Sequence, residues 1–70
     1  MSYHDRFLIN YVLKHRSYNL SAPTIESAIK QMKNFIDDKD CQWIEINDTE
    51  TGTIYYKDKV KDMAMMLLRE

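Results

Sequence analysis

The chain lacks a second cysteine: Cys41 stands alone, so no internal disulfide can brace the fold. His4 and His15 are its two histidines. They lie far from Cys41, and no C-x-x-C or H-x-x-x-H spacing is present, which argues against a zinc site. Gly52 and Pro23 are the only glycine and proline. That excludes a Gly-rich phosphate loop and leaves just two strong breaks in the chain. No apolar run approaches the roughly 20 residues needed to cross a bilayer. A basic excess is missing too, with ten Lys and Arg against eleven Asp and Glu. Dedicated nucleic-acid binders show such an excess, or a clearly basic face. Met1 is not followed by a basic start and an unbroken apolar run, so no secretory signal is expected. With the free thiol, this predicts a reducing, cytoplasmic setting.

What remains is a 70-residue chain, 44% hydrophobic and 30% charged, enough for one domain over residues 1–70. A domain this small has a thin margin of stability. With disulfide and metal set aside, oligomerisation is the available reinforcement.

Residues 7–13, Phe-Leu-Ile-Asn-Tyr-Val-Leu, favour a strand by their β-branched and aromatic content. Phe7, Ile9, Tyr11 and Leu13 then share one face, and Leu8, Asn10 and Val12 the other. A helix over residues 5–16 is the alternative, because Leu8, Tyr11, Val12 and His15 also form a stripe. Lys14-His15-Arg16 would turn the chain into a second strand, Ser17 to Leu20. Residues 24–37 predict a helix, with Thr24 as N-cap and Glu26 where the helix dipole favours an acid. Ile25, Ala28, Ile29, Met32, Phe35 and Ile36 repeat at the spacing of one buried face.

Residues 41–47 and 53–57 predict a hairpin. Placing Ile46 opposite Ile54 and Ile44 opposite Tyr56 puts all four in the core, with the loop at Asp48 to Gly52. A last helix, capped by Asp58 and running to about Leu68, carries the stripe Val60, Met63, Ala64 and Leu67. The order is β-β-α-β-β-α, an α+β domain with an antiparallel sheet of about four strands, a central helix and a C-terminal helix. If residues 5–16 are helical, the order becomes α-α-β-β-α.

No catalytic or cofactor motif emerges. There is no G-x-S-x-G and no H-E-x-x-H. Asp48 to Gly52 is similar to a calcium loop, but its glycine falls one place early and no Glu follows at the twelfth position. His15 has no nucleophile or orienting carboxylate that can be placed beside it. Cys41 opens a strand, where a small buried or edge residue is usual. No catalytic, cofactor or metal residues are therefore assigned.

Two surfaces stand out. If the helices cover one side of the sheet, Leu8, Val12, Trp43 and Tyr55 lie on the other, as a partner-binding face. If the last helix folds over that side, the same residues become core. The last helix is broader in apolar character than one stripe requires. Met65, Met66 and Leu68 predict a homodimer seam or a partner groove. A nucleic-acid reading would use Trp43 and Tyr55 as stacking platforms, with Lys14, Arg16, Lys57, Lys59 and Lys61 on phosphates. Glu45, Asp48 and Glu50 oppose it.

The stretches Ser-Ala-Pro-Thr-Ile-Glu-Ser-Ala-Ile at 21–29 and Trp-Ile-Glu-Ile-Asn-Asp-Thr-Glu-Thr-Gly-Thr-Ile-Tyr-Tyr at 43–56 resemble those of small phage-encoded α+β proteins. The resemblance covers about half the chain and carries no functional motif. It implies binding to a host factor, as an inhibitor of a host enzyme or a defence complex in the host cytoplasm. The chain is thus expected to be a small non-catalytic protein-binding module, homodimeric and without a cofactor. Single-stranded nucleic-acid binding is the alternative.

Overall fold

The structure, a computed structural model, describes residues 5–67. Six elements follow one another: β1 (Phe7–Leu13), β2 (Arg16–Ala22), α1 (Ile25–Ile36), β3 (Cys41–Asp48), β4 (Thr53–Tyr56) and α2 (Lys57–Leu67). The four strands form one antiparallel sheet in the order β2-β1-β3-β4. Residues 7–13 are therefore a strand, and the all-helical alternative for 5–16 falls. The second strand is longer than Ser17 to Leu20, gaining a residue before and two after.

Strand β1 is central and pairs with β2 on one edge and β3 on the other. Its alternation sends Phe7, Ile9 and Tyr11 into the core and leaves Leu8 and Asn10 exposed. Lys14 and His15, at φ 52° and 67°, make the two-residue turn that joins Leu13 to Arg16. Positive φ at both central residues is what a hairpin turn of matching twist requires. One irregularity interrupts β1–β3, where Val12 pairs with Trp43 but Leu13 with Cys41. Gln42 is the extra residue of that bulge. Its side-chain oxygen accepts a hydrogen bond from the His15 backbone N–H at 2.9 Å.

Helix α1 starts where the sequence says. Thr24 is its N-cap, and the Ser27 N–H donates to Thr24 Oγ1 at 3.2 Å. Ala28, Ile29, Met32 and Ile36 are buried, while Ile25 and Phe35 pack at the margin. Helix α2 begins at Lys57, directly after β4, so Asp58 lies in its first turn rather than capping it. Val60 is fully buried, and Met63 and Ala64 are half-buried against the same core. Leu67, expected on that stripe, is exposed: α2 packs through its first two turns and leaves the last in solvent.

Both helices lie against the same face of the sheet, because Ile9, Ile44 and Ile46 share one core with Ile29, Met32 and Val60. Among the described residues, no helix lies over the other sheet face.

The β3–β4 hairpin departs from expectation by one residue. Ile46 pairs with Tyr55, Asn47 with Ile54 and Glu45 with Tyr56. Ile54 and Tyr56, expected in the core, are exposed, and Tyr55 packs against the core in their place. The cause is Asp48, which ends β3 instead of opening the loop. Its carboxylate receives Arg6 Nε and Nη2, each at 2.9 Å, and the Glu50 N–H at 3.0 Å. Its carbonyl accepts the Gly52 N–H at 2.7 Å. That leaves four loop residues, with Gly52 at φ 78°, a conformation glycine adopts without strain. Pairing Asp48 with Thr53 shifts every later side chain to the opposite face.

Candidate functional site

The uncovered sheet face is built from alternate residues of four strands. Pairing aligns Val12 with Trp43, Asn10 with Glu45, and Leu8 with Asn47, flanked by Ser17, Asn19 and Ser21 on β2. On β4, Tyr56 lies beside Glu45 and Ile54 beside Asn47. Leu8, Trp43, Ile54 and Tyr56 are 44%, 42%, 39% and 48% exposed. Four large apolar side chains at this exposure on one sheet face exceed the scattered singles usual on a small domain.

Of the expected partner-binding residues, Leu8, Val12 and Trp43 are on this face together. Tyr55 is not: the one-residue register shift turns it to the helix side and puts Tyr56 in its place. Ile54 joins for the same reason. Both were missed because β4 is four residues long, and either alternation places one aromatic on each side.

Trp43 and Tyr56 touch, with ring centroids 5.3 Å apart and planes tilted by 59°. Trp43 Nε1 donates to Glu45 Oε1 at 3.3 Å, which holds the indole along β3. Glu45 is the only charged residue on the face among the described strand positions. No lysine or arginine shares those strand positions. Lys57 Nζ donates to the Cys41 carbonyl at 2.7 Å, and Lys61 Nζ lies 3.9 Å from Asp37. Arg16 alternates to the helix side of β2, paired with Leu13. Of the cations that the nucleic-acid reading names, Lys57, Lys61 and Arg16 are thus engaged elsewhere or turned to the other side, while Lys14 and Lys59 are exposed outside the strands of the aromatic face.

A second feature lies at the end of the sheet where β1 begins. Arg6, Thr24, Ile25, Asp48, Tyr55 and Met63 help to line a shallow cleft of about 340 Å³. The Arg6 guanidinium holds the Asp48 carboxyl down at about 2, well under its ordinary 3.8. Arg6 is also 3.6 Å from Glu50. Its charge is thus engaged by two carboxylates, and the pair ties β1 to the β3–β4 turn.

The remaining candidates are quickly placed. His15 Nδ1 is 3.1 Å from the Gln42 amide nitrogen, in the exposed turn. Cys41 is buried, its thiol 3.6 Å from the Trp43 carbonyl. Among the described residues, no three His, Cys, Asp or Glu side chains converge as metal ligands, and no helix is long and apolar enough to cross a membrane. Met65 and Met66, at the end of α2, are 64% and 75% exposed; Leu68 lies outside the described residues. Comparison with known proteins returns no matching family model, no similar curated protein and no similar solved structure.

Proposed function

We propose that the chain is a small, non-catalytic protein-binding module that docks its partner on the uncovered sheet face, with Trp43 and Tyr56 at the centre and Leu8, Val12 and Ile54 around them. One observation carries this reading: a sheet face with no helix over it among the described residues exposes four large apolar side chains, and its strand positions bear a single charge. Tryptophan and tyrosine are the residues whose truncation most often costs binding energy at protein interfaces. The expected form of such binding, by resemblance, is inhibition of a host enzyme or defence complex by a phage-encoded chain.

Nucleic-acid binding keeps one supporting observation, the adjacent exposed rings of Trp43 and Tyr56. Charge favours protein. A strand of nucleic acid brings phosphates close to every stacked base, and the described strand positions of this face offer them Glu45 and no cation.

Affinity capture from a nuclease-treated lysate, with Trp43→Ala and Tyr56→Ala run beside the unaltered chain, tests the proposal. Stoichiometric protein should be retained by the unaltered chain and lost by both variants, each losing at least about tenfold in affinity. Circular dichroism should show both variants folded. Loss of all bound material on nuclease treatment would transfer the face to nucleic acid. Unfolding of Trp43→Ala would make Trp43 a packing residue and remove the site.

A further inference from the structure

Among the described residues, strand β2 closes one edge of the sheet with only β1 beside it, and six of its seven residues are exposed. Exposed strand edges invite pairing with another chain, and proteins usually blunt them with proline, lysine, a bulge or a very short strand. None of these protects β2. It pairs with β1 over all seven positions without a break, and Arg16, its one charge, stands at its start. The opposite edge is guarded differently: β4 has four residues and runs straight into α2.

Which backbone groups face outward follows from the turn. In a two-residue hairpin the pair flanking the turn is hydrogen-bonded, and bonded pairs then recur at every second residue. Arg16, Tyr18, Leu20 and Ala22 therefore turn their N–H and C=O groups to β1. Ser17, Asn19 and Ser21 turn theirs to the open edge. Gln31 Nε2, which donates to the Ser21 carbonyl at 3.3 Å, reaches it from that open side. The backbone groups of Ser17 and Asn19 have no described partner.

We propose that two copies of the chain pair antiparallel along β2 about a twofold axis at Asn19, joining their sheets into one. The segment Ser17-Tyr18-Asn19-Leu20-Ser21 is nearly the same read in either direction, as such a self-pairing requires. Asn19 meets Asn19 of the second copy through outward backbone groups, and Ser17 meets its Ser21, where the Gln31 side chain gives up the carbonyl to the incoming strand. Tyr18 meets Leu20 of the second copy on the helix side, twice over. Arg16 meets only alanine, so no like charges oppose one another.

The pairing also answers an apolar surplus. Tyr18 and Leu20 lie on the helix side yet are each 39% exposed, although α1 reaches the end of β2, where Ala22 is in the core and Gln31 bonds Ser21. Tyr18 rests on Tyr11 at 5.2 Å between ring centroids, and Tyr11 rests on Phe35 at 4.9 Å. A neighbouring Leu20 would extend that row. Cross-strand aromatic–aliphatic pairs of this kind stabilise sheets. The edge is separate from the face centred on Trp43, so this proposal does not depend on the one above.

Sedimentation of the full chain over a dilution series, with amide hydrogen exchange at high and low concentration, tests it. A monomer–dimer equilibrium is expected, with the Ser17 and Asn19 amides protected in the dimer and exchanging freely on dilution. Asn19→Pro deletes a donor that the lone subunit does not use, a change edge strands tolerate. Leu20→Lys leaves the backbone alone and places charges in the apolar row. Each should weaken the dimer at least about tenfold, whereas Met65→Lys with Met66→Lys should not. A strict monomer at high concentration would overturn the proposal. So would a dimer whose Asn19 amide exchanges freely, or one lost only on changing Met65 and Met66, or Trp43. Protection that appears only with an added partner protein would assign the edge to a foreign strand and overturn the self-pairing.

Discussion

Asp48 is the one buried charged side chain among the described residues, and its neighbours keep it ionised. Hydrogen bonds from Arg6 are the main cause of its lowered proton affinity, opposed by burial and assisted by the Glu50 N–H. A carboxylate whose folded value lies below its unfolded one adds stability above the unfolded value, and that stability fades as pH falls through the folded value. Thermal melts should therefore show a loss of stability between about pH 4 and about pH 2. Asp48→Asn should flatten that part of the profile and lower stability at neutral pH. A profile unchanged by the substitution would free Asp48 from this role. Ile29 makes the complementary case from the apolar side. It is fully buried, and Ile29→Ala should cost about 2–5 kcal/mol in a denaturant titration. A loss under about 0.5 kcal/mol would be the size expected of a surface position. Ile29 was legible from its helical spacing. The Arg6–Asp48 pair was not, because 42 positions separate the two and no local pattern links them.

Among the elements, the two hairpins differ in how far local chemistry specifies them. The first has a turn of two non-glycine residues at positive φ, Lys14 and His15, where Asn-Gly is the favoured pair. His15→Gly removes the steric cost of a side chain in that conformation. It should stabilise the fold by about 0.5–1 kcal/mol, with the lost ring contact to Gln42 as the opposing effect. Equal or lower stability on thermal melting would show that the Gln42 contact outweighs the backbone gain. The second hairpin is specified from outside itself. Asp48 is claimed by Arg6, so the loop shortens and β4 turns over. Tyr55→Ala should then destabilise the domain clearly more than Tyr56→Ala, because Tyr55 packs on the core and Tyr56 faces solvent. The reverse order in paired denaturant titrations would restore the register that aligns Ile46 with Ile54.

For the molecule as a whole, the consequence is a two-layer body, helices on one side and sheet on the other. Both helices are used up on the same face of a four-stranded sheet, so the second face and the β2 edge are left to solvent or to partners. Because the described strand positions of the proposed docking face carry one carboxylate and no cation, protein binding there should vary little with salt. Nucleic-acid binding would weaken steeply, in proportion to the phosphates neutralised. Affinity measured at low and at high salt distinguishes the two directly.

Local chemistry written into the sequence determined the six elements and their order. Thr24 ends one segment and starts a helix, apolar spacing marks the buried stripe of α1, and alternation marks β1. These signals act over a few residues, so they survive without knowledge of the fold. The tertiary structure alone decided which side α2 covers, the register of β4, and which β2 side chains escape the helices. Each depends on contacts between distant residues: Arg6 on Asp48, Val60 in the same core as Ile44, and Gln31 of α1 on Ser21 of β2. The aromatic face was visible through Leu8, Val12 and Trp43, whose strands alternate strongly. Tyr56 was legible only once Asp48 had set the length of the turn, since a slip of one residue inverts the facing of a strand whose two sides are equally aromatic.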